Sequence, residues 1–321
     1  MSEAPPLVQA DEAGITKAAD LLREGKLVAF PTETVYGLGG DAANDKAVAA
    51  IYAAKGRPQF NPLIIHVAET AALDHLVEWN DTARLLAQQF WPGPLTLVLP
   101  RKSGANISLL ASAGLDTLAV RVPSHPVAQQ LLRRCGIPIA APSANASGKL
   151  SPTTPVHVAE SLGDKVDLIL AGGKSQVGVE STVLDLTTPR PVLLRPGGIA
   201  REQIETLIGP IEFSAGASSD APASPGMLAS HYAPNLPLRM NAGSAANDEA
   251  FLTFGPDFTL KGGGMRLNLS PDGDLQEAAA NLFAMLRQLD LSQMKSIAVA
   301  PIPLTGLGLA INDRLKRAST R

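Results

Sequence analysis

The segment spanning residues 30–67 constrains the fold more than any other part of the chain. It places two loops rich in hydrogen-bonding side chains next to short apolar runs, at 27–30 and 63–67, that have the composition of buried strands. Between the loops, residues 45–55 show the apolar spacing of a helix, and Gly56 is suited to a left-handed cap at its end. Because loops on a rigid strand scaffold concentrate binding groups, this segment predicts a ligand site.

Strand-like and helical runs alternate along the first part of the chain, but several successive strands have no helix between them. Parallel neighbours need a long crossover, so directly connected strands indicate antiparallel pairs. We therefore predict an α/β fold with a twisted, mixed sheet over residues 1–210. Within it we expect a helix near 69–77 and another that Ser124 caps and that runs to Cys135.

The composition changes at residues 213–227, which are rich in Ala, Ser, Gly and Pro and have no periodic apolar face. We assign residues 211–236 to a linker and 237–321 to a second, smaller, Rossmann-like α/β domain. This domain should contain a strong helix from Asp274, its cap, and a last helix that carries Arg314 among other basic residues.

Composition and charge exclude several classes of protein. A formal charge of -3 and a pI near 6.0 argue against polyanion binding through net charge. The single cysteine, Cys135, cannot form an internal disulfide, and no Cys/His spacing is typical of zinc. No apolar run approaches the roughly 18 residues of a membrane span, and the first residues lack a signal-peptide core. We therefore expect a cytoplasmic protein.

Polar groups at strand ends and in loops form a set suited to an anionic ligand. The set contains cations, hydroxyls, amides and one histidine: Lys55, Arg57, Arg121, Arg195, Thr34, Asn61, Thr117, Ser143, Asn145, Ser151, Ser181 and His66. Arginine offers a fork for carboxylate or phosphate, and lysine a point charge. The set lacks a carboxylate pair, a cysteine nucleophile and a metal cage, and neither standard nucleotide-binding glycine motif is present in the sequence.

Each of these residues also has a simpler explanation. Lys55 and Arg57 lie beside a helix end, where such residues most often form a solvated cap that suits the helix dipole. His66 fits a buried core histidine as well as a ligand contact, and Arg121 and Arg195 fit surface charges. Composition and spacing alone therefore indicate an α/β protein with an anion site and nothing narrower.

Several segments resemble the threonylcarbamoyl-AMP synthase family, which has a YrdC-type domain. In chain order they are FPTETVYGLG, KGRP followed by NPLIIHV, WPGPLTLVL, GLDTLAVRVP, PIAAPSANASGKLSPT, GVESTVLDL and LLRPGG. They extend over residues 28–198. The later SPGMLASHYAPN and the second α/β unit are similar to the longer, two-domain form of this family.

The resemblance implies a nucleotidyltransferase that makes L-threonylcarbamoyladenylate and pyrophosphate from L-threonine, bicarbonate and ATP, for threonylcarbamoyladenosine modification of tRNA. Mg²⁺ would accompany ATP, held by phosphates and water rather than by protein side chains. The implied partners are the substrates and the downstream proteins that transfer the threonylcarbamoyl group to tRNA, with no membrane; direct tRNA binding is left open.

The resemblance also implies roles for individual residues. The catalytic K-x-R…S-x-N tetrad would be Lys55, Arg57, Ser143 and Asn145. The threonine-binding residues would be Thr34, His66, Arg121, Ala141 and Ser181, with Arg121 facing the carboxylate. The ATP-binding residues would be Arg57, Asn61, Thr117, Ser143, Ser151, Arg195 and Tyr232, the last from a linker that folds over the active site.

Two other functions stay open. The first is a non-catalytic factor for ribosome maturation or for binding double-stranded RNA or tRNA, against which the acidic pI argues mildly. The second is a hydrogenase-maturation carbamoyltransferase, which would need zinc-finger and acylphosphatase-like segments that this sequence lacks.

Overall fold

The computed structural model describes residues 6–214, 231–256 and 259–320. The α-helices in these ranges are α1 Glu12–Arg23, α2 Asp45–Lys55, α3 Asp81–Phe90, α4 Pro126–Cys135, α5 Pro155–Leu162, α6 Arg201–Ile208, α7 Leu275–Asp290 and α8 Leu307–Ser319. Short 3₁₀ helices cover Thr70–Leu73 and Gly163–Lys165.

The strands of the described residues are β1 Leu7–Gln9, β2 Val28–Phe30, β3 Gly37–Asp41, β4 Ile64–His66, β5 Leu95–Pro100, β6 Thr117–Arg121, β7 Ile139–Ala140, β8 Leu168–Ala171, β9 Thr182–Asp185, β10 Val192–Arg195, β11 Glu212–Phe213, β12 Leu238–Arg239, β13 Ser244–Ala245, β14 Glu249–Thr253, β15 Lys261–Gly262, β16 Met265–Asn268 and β17 Ser296–Val299.

The first eleven strands form one mixed sheet in the order β1-β8-β2-β3-β7-β4-β6-β5-β9-β10-β11. At its centre β4 pairs parallel with β6 and antiparallel with β7, so the predicted mixed sheet is confirmed. The register of the β4–β6 pair sets His66 directly opposite Arg121. His66 and Arg121 therefore lie side by side on two central strands, and the backbone of Ala141, in the loop after β7, donates to Ile64 O on the first of these strands.

The predicted helix over 45–55 is confirmed at both ends. Asn44 accepts hydrogen bonds from the backbone of the first turn, and Gly56 closes the helix with φ 59° and ψ 37°. Gly56 has no side chain to oppose this left-handed conformation, which turns the chain sharply after Lys55. After the turn, Arg57 Nη2 donates to the carbonyl oxygen of Pro62 at 3.0 Å, in the loop that leads to β4.

The second α/β unit is built on four parallel strands in the order β12-β17-β14-β16, with α7 and α8 packed together beside them. In α7 the buried residues Leu282, Phe283, Leu286 and Leu289 follow helical spacing. Asp274 caps this helix, as predicted, by accepting a hydrogen bond from Gln276 N. The predicted second, Rossmann-like unit is therefore confirmed.

The two units share apolar packing. Val35, Leu150 and Val179 of the first unit lie in one buried cluster with Tyr232 and the core of the second. At Gly178 the first unit's backbone is so close to α7 that an added Cβ would lie 2.4 Å from Ala279 O. The second unit therefore packs directly on the loops that follow β2, β7 and β8.

Several local predictions were wrong. His125, not Ser124, caps α4, because Pro126 takes the first helical position and the His125 ring accepts from Val127 N. Residues 69–77 contain one turn of 3₁₀ helix in place of the expected helix. Sequence reasoning also missed the short edge strand β1 and the mostly polar helix α6.

Other predictions are not decided by the fold. The middle of the predicted linker, residues 215–230, lies outside the described residues, and the bounds of the three predicted segments stay predictions. No helix in the described ranges is long and apolar enough to cross a membrane. Location in the cytoplasm stays a prediction.

Candidate active site

A polar cavity lies beside the central strands β4 and β6, and most of the predicted site residues line it. These are Thr34, Arg57, His66, Arg121, Ala141, Ser143, Ser181, Arg195 and Tyr232. They come from loops after β2, α2 and β7, from strand ends, and from the last part of the predicted linker. Residues far apart in the sequence therefore share one hollow.

Lys55 and Arg57 are buried, with 3% and 8% of their surface exposed, so the solvated-cap interpretation was wrong. The Lys55 ammonium donates to the carbonyl oxygens of Ser143 and Asn145, each at 2.5 Å. Arg57 donates to the carbonyl oxygen of Asn61 at 3.2 Å through Nε. Within the K-x-R…S-x-N pattern, Lys55 therefore joins the end of α2 to the loop that follows β7.

Burial is the main cause of the pKa shifts of Lys55 and Arg57. It lowers the pKa of Lys55 well below the ordinary value, and the nearby Arg57 charge lowers it further. Burial also lowers the pKa of Arg57, to about 10, so that guanidinium stays charged at neutral pH. A cation therefore faces the cavity on this side.

Arg121, which also lines the cavity, is held by a carboxylate that sequence reasoning did not select. Its Nη2 donates to Glu33 Oε1 at 2.7 Å and to Thr34 Oγ1 at 3.0 Å. The second oxygen of Glu33 accepts from the Ser124 backbone at 3.1 Å. Glu33 lies inside the FPTETVYGLG segment, between two threonines, and this position was the available signal.

His66 lies opposite Arg121 and is buried. Burial lowers the pKa of this histidine to about 3, and the Arg121 charge contributes to the decrease. The imidazole is therefore neutral near pH 7 and offers the cavity a neutral ring rather than a second cation. The interpretations of Arg121 and Arg195 as surface charges were wrong, since each has 4% of its surface exposed.

Glu180 is another carboxylate that was not predicted, and unlike Glu33 its residue lines the cavity. Its Oε1 accepts from the Ser151 hydroxyl at 2.5 Å. Next to it, Arg195 Nη2 donates to the backbone oxygen of Ser181 at 2.9 Å. The signal for Glu180 was its position before Ser181 in the GVESTVLDL segment.

Tyr232 and His231 close the cavity from the side of the second unit. Tyr232 is 1% exposed, and its ring lies 5.4 Å from that of Phe283 in α7. The predicted position of Tyr232 over the cavity agrees with this packing, whereas its contact with ATP stays a prediction.

The remaining predicted residues do not line the cavity. Lys55, Asn145 and Ser151 lie behind residues that do line it, through the hydrogen bonds given above. Asn61 is buried, and neither polar atom of its side chain has a hydrogen-bond partner among the described residues. Thr117 begins β6, about 13 Å along the strand from Arg121. The roles assigned to these residues stay predictions.

The cavity can bind anions. Arg57, Arg121 and Arg195 converge on it with hydroxyls and backbone groups. No group of His, Cys, Asp or Glu suited to a metal ion occurs in the part of the chain that the structure describes. The three guanidinium groups and the hydroxyls of the cavity suit the binding and orientation of charged substrates.

Comparisons with known proteins match nearly the whole chain. The family described as "Telomere recombination" matches residues 20–197, and "Threonylcarbamoyl-AMP synthase, C-terminal domain" matches residues 199–320. The threonylcarbamoyl-AMP synthases of Bacillus subtilis and Pyrococcus abyssi are each 45% identical to this chain, and the matches cover 95% and 96% of it and 92% and 95% of the relatives.

A solved structure agrees with these sequences. The crystal structure of P. abyssi Sua5 complexed with L-threonine has a TM-score of 0.90 and 42% identity, over 98% of this chain and 97% of that one. The resemblance seen in the motifs thus extends through both units. This chain belongs to the threonylcarbamoyl-AMP synthase family.

Proposed function

We propose that this chain is a threonylcarbamoyl-AMP synthase, a nucleotidyltransferase that makes L-threonylcarbamoyladenylate and pyrophosphate from L-threonine, bicarbonate and ATP. The observation that carries the proposal is the common cavity, which unites the predicted threonine-binding residues with three arginines. A relative of the same fold was crystallised with L-threonine. Proteins that transfer the threonylcarbamoyl group to tRNA would consume the product.

The proposed chemistry needs no covalent bond to the enzyme. Threonine that carries a carboxylate on its nitrogen attacks with a carbamate oxygen, a bond forms to the α-phosphorus of ATP, and the bond to pyrophosphate breaks. Catalysis then consists of positioning two anions and stabilising charge on the phosphates. The cavity fits this task because its polar side chains are three guanidinium groups, hydroxyls, two neutral imidazoles and the carboxylate of Glu180, which is paired with Arg314.

Arg121 is the proposed partner of the threonine carboxylate. Its Nε donates to Gly93 O and its Nη2 to Glu33 and Thr34, which fix the plane of the guanidinium. Its Nη1 makes no hydrogen bond within the described residues. A planar group held in this way loses little freedom when it binds a carboxylate.

We propose that Mg²⁺ enters with ATP and is held by phosphates and water. The carboxylates at and behind the cavity wall fit this arrangement, since Glu180, which lines the cavity, is paired with Arg314, and Glu33, which does not line it, is paired with Arg121. Neither is available as an unpaired ligand. When bound, the ion would neutralise phosphate charge; the protein's own contribution is the arginine-lined wall.

The test uses the purified full chain with ATP and Mg²⁺, with and without L-threonine and bicarbonate. We expect pyrophosphate release that requires both, and a product with the mass of threonylcarbamoyladenylate. Arg121→Met should abolish the threonine-dependent release of pyrophosphate, whereas Arg134→Met, a change of an exposed arginine, should leave that release intact. Release that ignores threonine, or tight tRNA binding with no adenylate, would contradict the proposal, and the second result would favour the RNA-binding alternative.

A further inference from the structure

Arg314 is the buried cation of α8 that reaches from the second unit to the cavity wall. Its side chain is 0% exposed, although the sequence places it in a basic terminal helix. Nε donates to Glu180 Oε2 at 2.9 Å, and Nη1 donates to the carbonyl oxygen of Pro196 at 2.6 Å. The guanidinium carbon also lies 5.6 Å from the centre of the Tyr232 ring.

Each of these contacts leads to a predicted ATP-binding residue. Glu180 holds the Ser151 hydroxyl with its other oxygen. Pro196 directly follows Arg195, whose guanidinium lines the cavity. Arg314 does not line the cavity itself, so it acts one layer behind the residues that do.

Interdomain adhesion alone does not account for this arrangement. A buried ion pair is weak as a source of stability, since apolar residues of similar volume often serve as well. Lys174 Nζ already joins the units by donating to Asn281 Oδ1 at 2.9 Å, at an exposed position away from the cavity. Arg314, in contrast, contacts Glu180 and the ring of Tyr232, which both line the cavity.

We propose that Arg314 is a positioning residue for the nucleotide side of the active site. It holds Glu180, the backbone after Arg195 and the ring of Tyr232 in one arrangement, and so aligns Ser151 and Arg195 with ATP. The second unit thereby completes the site without contributing a residue that touches substrate. This inference rests on the proposed function, because it assigns the wall near Arg195 to the nucleotide.

The test compares Arg314→Met and Arg314→Lys with wild type in the full chain. We expect kcat/KM for ATP to fall about tenfold or more in Arg314→Met, since small displacements of positioning groups are costly. KM for threonine should stay within about twofold, because the Arg121 side is untouched. Arg314→Lys keeps the positive charge but loses the forked guanidinium, so its kcat/KM for ATP should lie between the values of wild type and Arg314→Met.

Two further variants separate positioning from adhesion. Lys174→Met, a change at the same interface but away from the cavity, should leave kcat/KM for ATP and KM for threonine at the wild-type values. If Arg314 acts through Glu180, Arg314→Met combined with Glu180→Gln should be no worse than Arg314→Met alone. Three results would overturn the inference. They are an equal loss of kcat/KM for ATP and for threonine in Arg314→Met, an equal loss of kcat/KM for ATP in Lys174→Met, and a loss in the double variant that is the sum of the two single losses.

Nucleotide binding can be measured separately from turnover. Affinity for a non-hydrolysable ATP analogue, measured by calorimetry on the folded variants, should fall in Arg314→Met whether or not turnover is seen. If Arg314→Met does not fold, Arg314→Lys carries the same comparison. A wild type that binds the analogue but makes no adenylate overturns the proposed function and leaves the Arg314 comparison valid; a wild type that binds no nucleotide overturns both.

Discussion

Lys55 shows at the scale of one residue how a buried charge can join two loops. An ammonium group inside a protein needs polar partners, and Lys55 finds them in two carbonyl oxygens of the 143–145 segment. The backbone oxygen of Lys55 accepts in turn from Ser147 N at 2.8 Å. The lysine therefore fixes the loop that brings Ser143 to the cavity.

Lys55→Met should lower kcat/KM on the order of 100-fold or more, because it removes positive charge and loosens the loop near the phosphates. Lys46→Met, at the exposed start of the same helix, is the matched control and should keep activity. Threonine-dependent pyrophosphate release measures both. Full turnover by Lys55→Met would remove this residue from the catalytic arrangement.

Glu180 gives a prediction about pH. Burial would raise the pKa of this carboxyl, but attraction to Arg314 and Arg195, with the Ser151 hydrogen bond, outweighs burial and lowers the pKa from 4.5 to about 2. An acid with a lowered pKa in the folded state stabilises the fold above its unfolded pKa, and this stabilisation is lost as pH falls through the folded value.

The free energy of unfolding should therefore fall more steeply for wild type than for Glu180→Gln between pH 4.5 and about 2. Urea denaturation at a series of pH values measures both slopes, and the other carboxyl groups are common to the two proteins. Parallel slopes would show that Glu180 is not held ionised in the fold.

At the scale of elements, the loop between β8 and β9 decides how the second unit docks. Gly178 has a left-handed backbone with φ 76° and touches α7, whereas Gly173 in the same loop has φ 84° and no atom within 4 Å of an added Cβ. The two glycines differ in their surroundings while their backbone conformations are similar. They separate the effect of close packing from that of backbone strain.

Gly173→Ala should destabilise the protein by about 1 kcal/mol through backbone strain alone. Gly178→Ala should lower the free energy of unfolding by about 1–3 kcal/mol more than Gly173→Ala does, because its Cβ would lie 2.4 Å from the Ala279 backbone oxygen. Chemical denaturation of both variants measures the difference. Equal losses would mean that α7 does not pack against this loop.

At the scale of the whole molecule, the two units behave as one packed body. Val35, Leu150 and Val179 from the first unit are buried among residues of the second, and Tyr232 lies with them. Arg314 adds an ion pair across the same boundary. A shared core couples the unfolding of both units.

Calorimetry should therefore show one unfolding transition, and Val179→Ala should shift all of it, at a loss of about 2 kcal/mol. Val156→Ala, where the side chain is 55% exposed, should leave the transition close to that of wild type. Two separate transitions, with only one shifted by Val179→Ala, would show that the units unfold independently.

Sequence by itself determined the elements whose signals are local. The helix over 45–55 and the cap at Asp274 follow from apolar spacing and from capping chemistry within a few residues. The motifs also named most of the residues that line the cavity. Local signals failed where two capping residues were adjacent, at Ser124 and His125, and where an element was short or mostly polar, as in β1 and α6.

Only the tertiary structure decided which charges are buried and what they contact. Glu180 and Arg314 are 134 positions apart in sequence, and no local pattern distinguishes a basic residue on a solvated helix face from one that crosses to another domain. The same holds for Lys55, which had the sequence context of a solvated cap. Ionic contacts depend on distance in space and on exclusion of water, and both arise only when the chain has folded.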